Sequence, residues 1–365
     1  MGPHLLLFAA LVLRDTLALS SGVSEGLRLE VCPNGLGEVS FDGPNDAALL
    51  GSLVQGQTGL LLRSHRKRVF WSANELSDEE ALKSEAEALA SLKLATPTVA
   101  VADGLASGFG AKVFAACDYR VATSQTVFET PETQLGFVPE FKCLSKAFPR
   151  EVALFIALTG YRLTGRDLVE WGLATHFCRD GRGPELAVEL RHAPTDFLDV
   201  CLDRNCQPHP PNALASPLFA TGSAPVLRGV LDRVFSDTSS VADIAQRLRG
   251  EQDIAEKAAE SSAWRVRELA EPVLDVLNDA LDVIHFKSSP LALEATFQLM
   301  TQSNVPASDD DLLAVNTRLR RRHRDHSSSS SSTAQRNRHK NPWAGTTLAE
   351  ARPLARDLLS DVLGS

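Results

Sequence analysis

At 365 residues the chain is long enough for two domains, or for one large α/β domain with a tail. A composition of 44% hydrophobic and 23% charged residues is that of an ordinary globular chain, and a net charge of −9 excludes a protein that binds DNA through its overall field, leaving only local basic patches. The six cysteines, at 32, 117, 143, 178, 201 and 206, are scattered without a CxxC, which predicts reduced thiols in a reducing compartment.

The first 25 residues form a candidate targeting or disordered segment. Leu5 to Leu13 is apolar but too short to span a bilayer, so no membrane partner is expected. Only His4 precedes it, so the basic start of a secretory signal is missing, and Arg14 is the single arginine available to a presequence. From Gly35 to Leu62 the text reads strand, turn, helix, strand, with turn chemistry at Asp42-Gly-Pro-Asn45. Arg63, His65, Arg66, Lys67 and Arg68 follow as a basic run. Residues 78–94 are rich in alanine and glutamate with acidic residues in the first turn, as a helix dipole favours.

Residues 96–139 are the most informative stretch. An apolar β-branched run (Val99, Val101) enters a small-residue loop, Gly104-Leu-Ala-Ser-Gly108-Phe-Gly110, and an apolar segment follows. A strand that passes through a glycine turn into a helix leaves free backbone N–H groups at the helix start, where they can hold a developing anion. The next loop carries Pro131-Glu132-Thr133, whose carboxylate could act on whatever is held there. That pattern suits attack on a carbonyl or thioester.

Alternation of strand and helix continues to 178, predicting a layered α/β core over 26–225. Residues 181–225 contain seven prolines and read as an irregular connection. Within them Cys201, Cys206 and His209 offer three metal ligands without an evident fourth, so no metal is expected. From 226 to 365 the chain reads as helical, with helices at 226–235, 240–249, 251–283 and 289–303 and a break at Pro272. Leu269, Val273, Leu277 and Leu281 mark an amphipathic face that packs on the core or on a neighbouring subunit of a homo-oligomer. Arg318 to His326 followed by Ser327 to Ser332 reads as a disordered insertion near 318–340.

Five blocks of this text resemble the crotonase (enoyl-CoA hydratase/isomerase) superfamily, and within it the 3-hydroxyisobutyryl-CoA hydrolase branch. They are DGLASGFGAK, Arg120-Val-Ala-Thr123, VFETPETQLGFVPE, Ala157 to Asp167 (ALTGYRLTGRD) and Gly172 to Phe177 (GLATHF). The resemblance implies a crotonase-like ββα spiral with a C-terminal helical region. It implies hydrolysis of a short-chain acyl-CoA thioester in valine breakdown, in mitochondria, with CoA as part of the substrate and no separate cofactor.

The resemblance also implies roles for individual residues. Two backbone N–H groups would form the oxyanion hole: Asn74, in the Phe70-Trp-Ser-Ala-Asn-Glu-Leu76 register where Ala73 replaces a usual glycine, and Phe109 in the glycine loop. A phenylalanine there brings bulk and excludes conformations open only to glycine. The first glutamate of the family's hydratases aligns with Lys112, which disfavours water addition by paired carboxylates. Glu132 would be base or nucleophile, with Glu140 as a second acid where the branch has aspartate. Arg66 and Lys67 would contact the phosphoadenosine end of CoA, although a solvated basic turn explains them equally. His176 reads as a structural histidine. Some mitochondrial ribosomes carry a small-subunit component resembling this hydrolase. A non-catalytic structural subunit in such a ribosomal assembly is therefore the alternative, favoured by Phe109, by Ala73, by Phe141-Lys-Cys-Leu-Ser145 in place of the family's glycine-rich segment, and by the basic-serine insertion.

Overall fold

The computed structural model describes residues 27–41, 47–54, 57, 59–65, 68–71, 79–139, 141–179, 182–207, 217–301, 309–328 and 346–363. Its strands are β1 Leu27–Val31, β2 Gly37–Phe41, β3 Leu60–Ser64, β4 Val69–Trp71, β5 Thr98–Ala102, β6 Leu105–Ser107, β7 Tyr119–Ala122, β8 Val127–Glu129, β9 Leu163–Thr164, β10 His176–Cys178 and β11 Cys206–Gln207. The larger sheet runs β1-β2-β3-β5-β7-β10-β11, parallel from β2 to β10 with an antiparallel strand at each end. The smaller runs β4-β6-β8-β9. Successive pairs β3/β4, β5/β6 and β7/β8 therefore each give one strand to either sheet before a helix follows, which is the expected ββα spiral.

The corners between paired strands explain two sequence blocks. Gly104, at φ +133°, turns β5 into β6, and a Cβ there would lie 2.1 Å from the Arg68 carbonyl carbon, so only glycine fits. Thr123, closing the Arg120–Thr123 block, donates to Asp103 Oδ1 at 2.7 Å, and Thr126 Oγ1 donates to the Ala102 carbonyl at 2.5 Å. Two hydroxyls thus tie the β7/β8 corner to the β5/β6 corner.

Strand β5 is buried on both faces. Ala100 and Ala102 join the main core, while Val99 and Val101 face a second cluster with Leu186, Leu190, Leu198 and Leu202. Those leucines correct the irregular connection expected over 181–225. Helices Gly183–His192 and Leu198–Asn205, a short 3-10 turn at 195–197 and β11 occupy much of it. The prolines sit where helices tolerate them: Pro184 and Pro225 fall in first turns, where the N–H has no acceptor anyway.

Beyond 217 the described chain is helical: Pro217–Ala220, Ala224–Phe235, Val241–Ala259, Trp264–Asp282, Pro290–Thr301, Asp309–Ser328 and Leu348–Leu363. The expected break at Pro272 is absent. The chain interrupts instead at 260–263, and the 264–282 helix runs through Pro272 with Ala270, Val273, Val276, Leu277 and Ala280 buried along one face. Burial of that face against the Val241–Ala259 helix outweighs the proline's local preference. The Asp309–Ser328 helix also includes Arg318 to His326, because Leu312, Val315 and Leu319 pack into a C-terminal cluster with Leu358 and Leu359. The rest of the 318–340 tract and the segment 1–25 lie outside the described residues, as do Lys340 to Trp343.

Candidate active site

The helix Phe109–Ala116 begins directly after β6. Its N-cap, Gly108, takes φ 56° and ψ −118°, so the left-handed step falls on glycine and Phe109 enters the helix with ordinary geometry. Its first N–H groups have no acceptor within the helix. A Cβ on Gly110 would sit 2.1 Å from the Trp71 carbonyl oxygen, so this helix start presses against the end of β4. The Phe109 ring is buried edge-on to Trp71, with centroids 5.0 Å apart. The bulk expected beside an acyl group is therefore packed into the main core. Asn74 and Ala73, which follow β4 in sequence, lie outside the described residues.

Glu132 opens the helix Glu132–Leu135, which Gly136 ends at φ +87°. Its side chain is 1% exposed, and the Lys112 Nζ stands 3.8 Å from Oε1. Lys112 belongs to the first turn of the Phe109–Ala116 helix, where its N–H donates to the Gly108 carbonyl at 3.1 Å. The same ammonium lies 3.0 Å from Glu85 Oε2, on the Glu79–Leu94 helix. One cation thus sits between two buried carboxylates, beside a helix N-terminus. The cluster sets the Glu132 carboxyl group against an ammonium, next to the backbone N–H groups of a helix start.

The segment carrying Glu132 is tied down from far along the chain. The Thr133 carbonyl accepts from the Ser289 N–H at 2.9 Å, and its hydroxyl lies 3.2 Å from Ser288 Oγ. Asn316 clamps Val138 twice, accepting from its N–H at 2.8 Å and donating to its carbonyl at 3.0 Å. Glu140, two residues on, lies outside the described residues. Sequence reasoning missed Glu85, Ser288, Ser289 and Asn316. Glu85 resembles any glutamate of a solvated helix, and the other three carry no local signal.

Arg66 and Lys67 also lie outside the described residues. Of the run around them, Arg63 is bound to Glu38, which also pairs with Arg191 Nη1 at 2.9 Å, while His65 and Arg68 are exposed. His176 bridges Thr175 Oγ1 at 2.8 Å and Asp203 Oδ1 at 3.3 Å, and burial holds its pKa below the usual histidine range. A separate cleft of about 370 Å³ is lined by Pro131, Gln134, Tyr161, Arg162, Asp279 and Lys287 among others, and neither Glu132, Lys112 nor Phe109 lines it. Among the described residues no cluster of three metal-ligating side chains occurs, and His209 is not one of those residues. No described helix is long and apolar enough to cross a membrane.

The family described as enoyl-CoA hydratase/isomerase matches residues 73–352, which is most of the chain. The chain belongs to the enoyl-CoA hydratase/isomerase family. Its fold is that of an enoyl-CoA hydratase from Rhodobacter sphaeroides, with a TM-score of 0.65 at 17% identity over 93% of this chain and 98% of that one. By sequence it is similar to the mitochondrial 3-hydroxyisobutyryl-CoA hydrolase of Gallus gallus, 41% identical over 97 residues that make up 26% of this chain and 25% of the relative. It is also similar to the small ribosomal subunit protein mS47 of Arabidopsis thaliana, 35% identical over 114 residues, 30% of this chain and 28% of the relative. The matches span about a quarter of the length of these curated relatives. Within the family, this member places Lys112 on the helix that starts at the glycine loop and Glu132 opposite it.

Proposed function

We propose that this family member hydrolyses a short-chain acyl-CoA thioester of the 3-hydroxyisobutyryl-CoA type, in mitochondrial valine breakdown. The observation that carries the reading is the buried Glu132 held against Lys112 at the start of the Phe109–Ala116 helix. The backbone N–H of Phe109, joined by that of Asn74, would take the thioester oxygen as negative charge develops on it. Glu132 would take the proton of an attacking water, or attack the carbonyl carbon itself, and Glu140 would serve as the second acid. Lys112 in place of a carboxylate leaves no paired acids for adding water across a double bond. CoA enters as part of the substrate, with its phosphates toward Arg66 and Lys67, and no separate cofactor is needed. In this reading residues 26–225 form the catalytic core, and 226–365 buttress the Glu132 segment through Ser288, Ser289 and Asn316.

The test is hydrolysis of a panel of short acyl-CoAs by the purified chain and by Glu132→Gln. Turnover by the wild type that collapses in the variant supports the reading. Absence of turnover by the wild type overturns it.

A second reading, a structural subunit of a ribosomal small subunit, is supported by the likeness to mS47. Co-sedimentation of the chain with small ribosomal subunits, together with no hydrolysis, would favour it.

A further inference from the structure

Three of the six cysteines gather at one end of the larger sheet. Cys178 ends β10, Cys206 begins β11, and the two are directly opposed partners in the antiparallel register. Both lie in the outer cluster, 0% and 7% exposed, with the half-buried Cys201 packed alongside. All six cysteines are thiols.

Opposed residues of an antiparallel pair have Cα atoms about 4.5 or 5.5 Å apart, and disulfides form over about 4.4–6.8 Å. Either kind of pair lies within bridging reach with no movement of the strands. The geometry points to Cys178 and Cys206 as a dithiol site that a diffusible peroxide or a small-molecule disulfide converts to a cross-strand disulfide.

With hydrogen peroxide, one thiolate attacks an oxygen to give a sulfenic acid and hydroxide. The second thiol then displaces water from that sulfur. Two thiols lose two electrons and two protons, and the peroxide becomes two waters. With oxidised glutathione the same electrons leave by thiol–disulfide exchange and yield two molecules of glutathione.

The neighbouring Cys178 thiol, then burial, push the Cys206 thiol up, so it remains protonated in the closed strand pair at neutral pH. Attack therefore begins from a locally opened form. β11 is suited to opening, being two residues long and the last strand of its sheet. Once formed, the bond would close the loop of residues 179–205 and remove chain entropy from the unfolded state.

The test is incubation of the full chain with hydrogen peroxide or with oxidised glutathione. Denaturation, alkylation of remaining thiols and peptide mapping without reduction follow. The expected product is a Cys178–Cys206 linkage lacking two hydrogens and reversed by dithiothreitol. It should form faster as pH rises, raise the thermal midpoint by several degrees, persist in Cys201→Ser and vanish in Cys206→Ser. A linkage through Cys201, or both thiols alkylated after such treatment, overturns the assignment. The wild-type map decides this even where Cys206→Ser fails to fold.

Discussion

Two buried charge clusters in this chain look alike on paper and differ in balance. At the sheet edge, Glu38 sits between Arg63 and Arg191, and Arg191 also reaches Glu30. Every carboxylate there has a guanidinium of its own. Beside the glycine loop, Lys112 pairs with both Glu85 and Glu132 among the described residues. Burying charge is costly unless it is compensated, so the first arrangement is what stability alone would select. The second places two buried carboxylates around one ammonium beside a helix N-terminus, which is the arrangement the proposed hydrolysis would use.

The comparison can be broken most directly by removing the shared ion of each cluster. Glu38→Gln leaves Arg63 without its carboxylate and Arg191 with Glu30 alone, and should destabilise the fold by about 3–5 kcal/mol, read by denaturant unfolding. Lys112→Gln should cost a similar ~3–5 kcal/mol, because two carboxylates then remain buried without a cation. An effect of Lys112→Gln much below that of Glu38→Gln would mean that its cluster is better solvated than its burial implies.

Glu132→Gln comes next and should split activity from stability. Loss of a general base should lower acyl-CoA turnover by roughly a hundredfold or more. Removing one of the two buried carboxylates that share Lys112 should at the same time raise stability, by about 0.5–2 kcal/mol. A destabilised Glu132→Gln would make that cluster structural like the first.

The smallest effect belongs to Glu294, another buried carboxylate, which accepts from the Val241 N–H at 3.0 Å at the start of the 241–259 helix. Burial raises its pKa above the ordinary carboxylate range. Its unfolded form therefore ionises first, and its presence costs stability increasingly as pH rises above about 4.3. Glu294→Gln should match or exceed the wild-type thermal midpoint at neutral pH, with the difference shrinking as pH falls through the carboxylate range. A difference that grows at low pH would contradict that sign.

Much of the fold was legible because its signals are local. Gly104, Gly108 and Gly110 stand where a corner, a helix cap and a close backbone approach need them, and β-branched alternation marked β5. The crotonase-like spiral followed from the order of those blocks. The region 181–225 was misread because prolines were taken as breakers when Pro184, Pro217 and Pro225 stand in the first turns of helices. Pro272 was misread for the complementary reason, since tertiary burial overrode its local cost.

By itself, the sequence determined the alternation of strand and helix, the glycine loop at a strand corner and the acidic residue of the Pro131-Glu132-Thr133 loop. These depend on neighbours a few residues away, and side-chain type reports them. Only the tertiary structure decided that Lys112 stands between Glu85 and Glu132, that Asn316 clamps Val138, and that Cys178 faces Cys206. Each joins residues from separate elements, and pairing across such distances is set by how the layers pack and register, which no local pattern of residue types encodes.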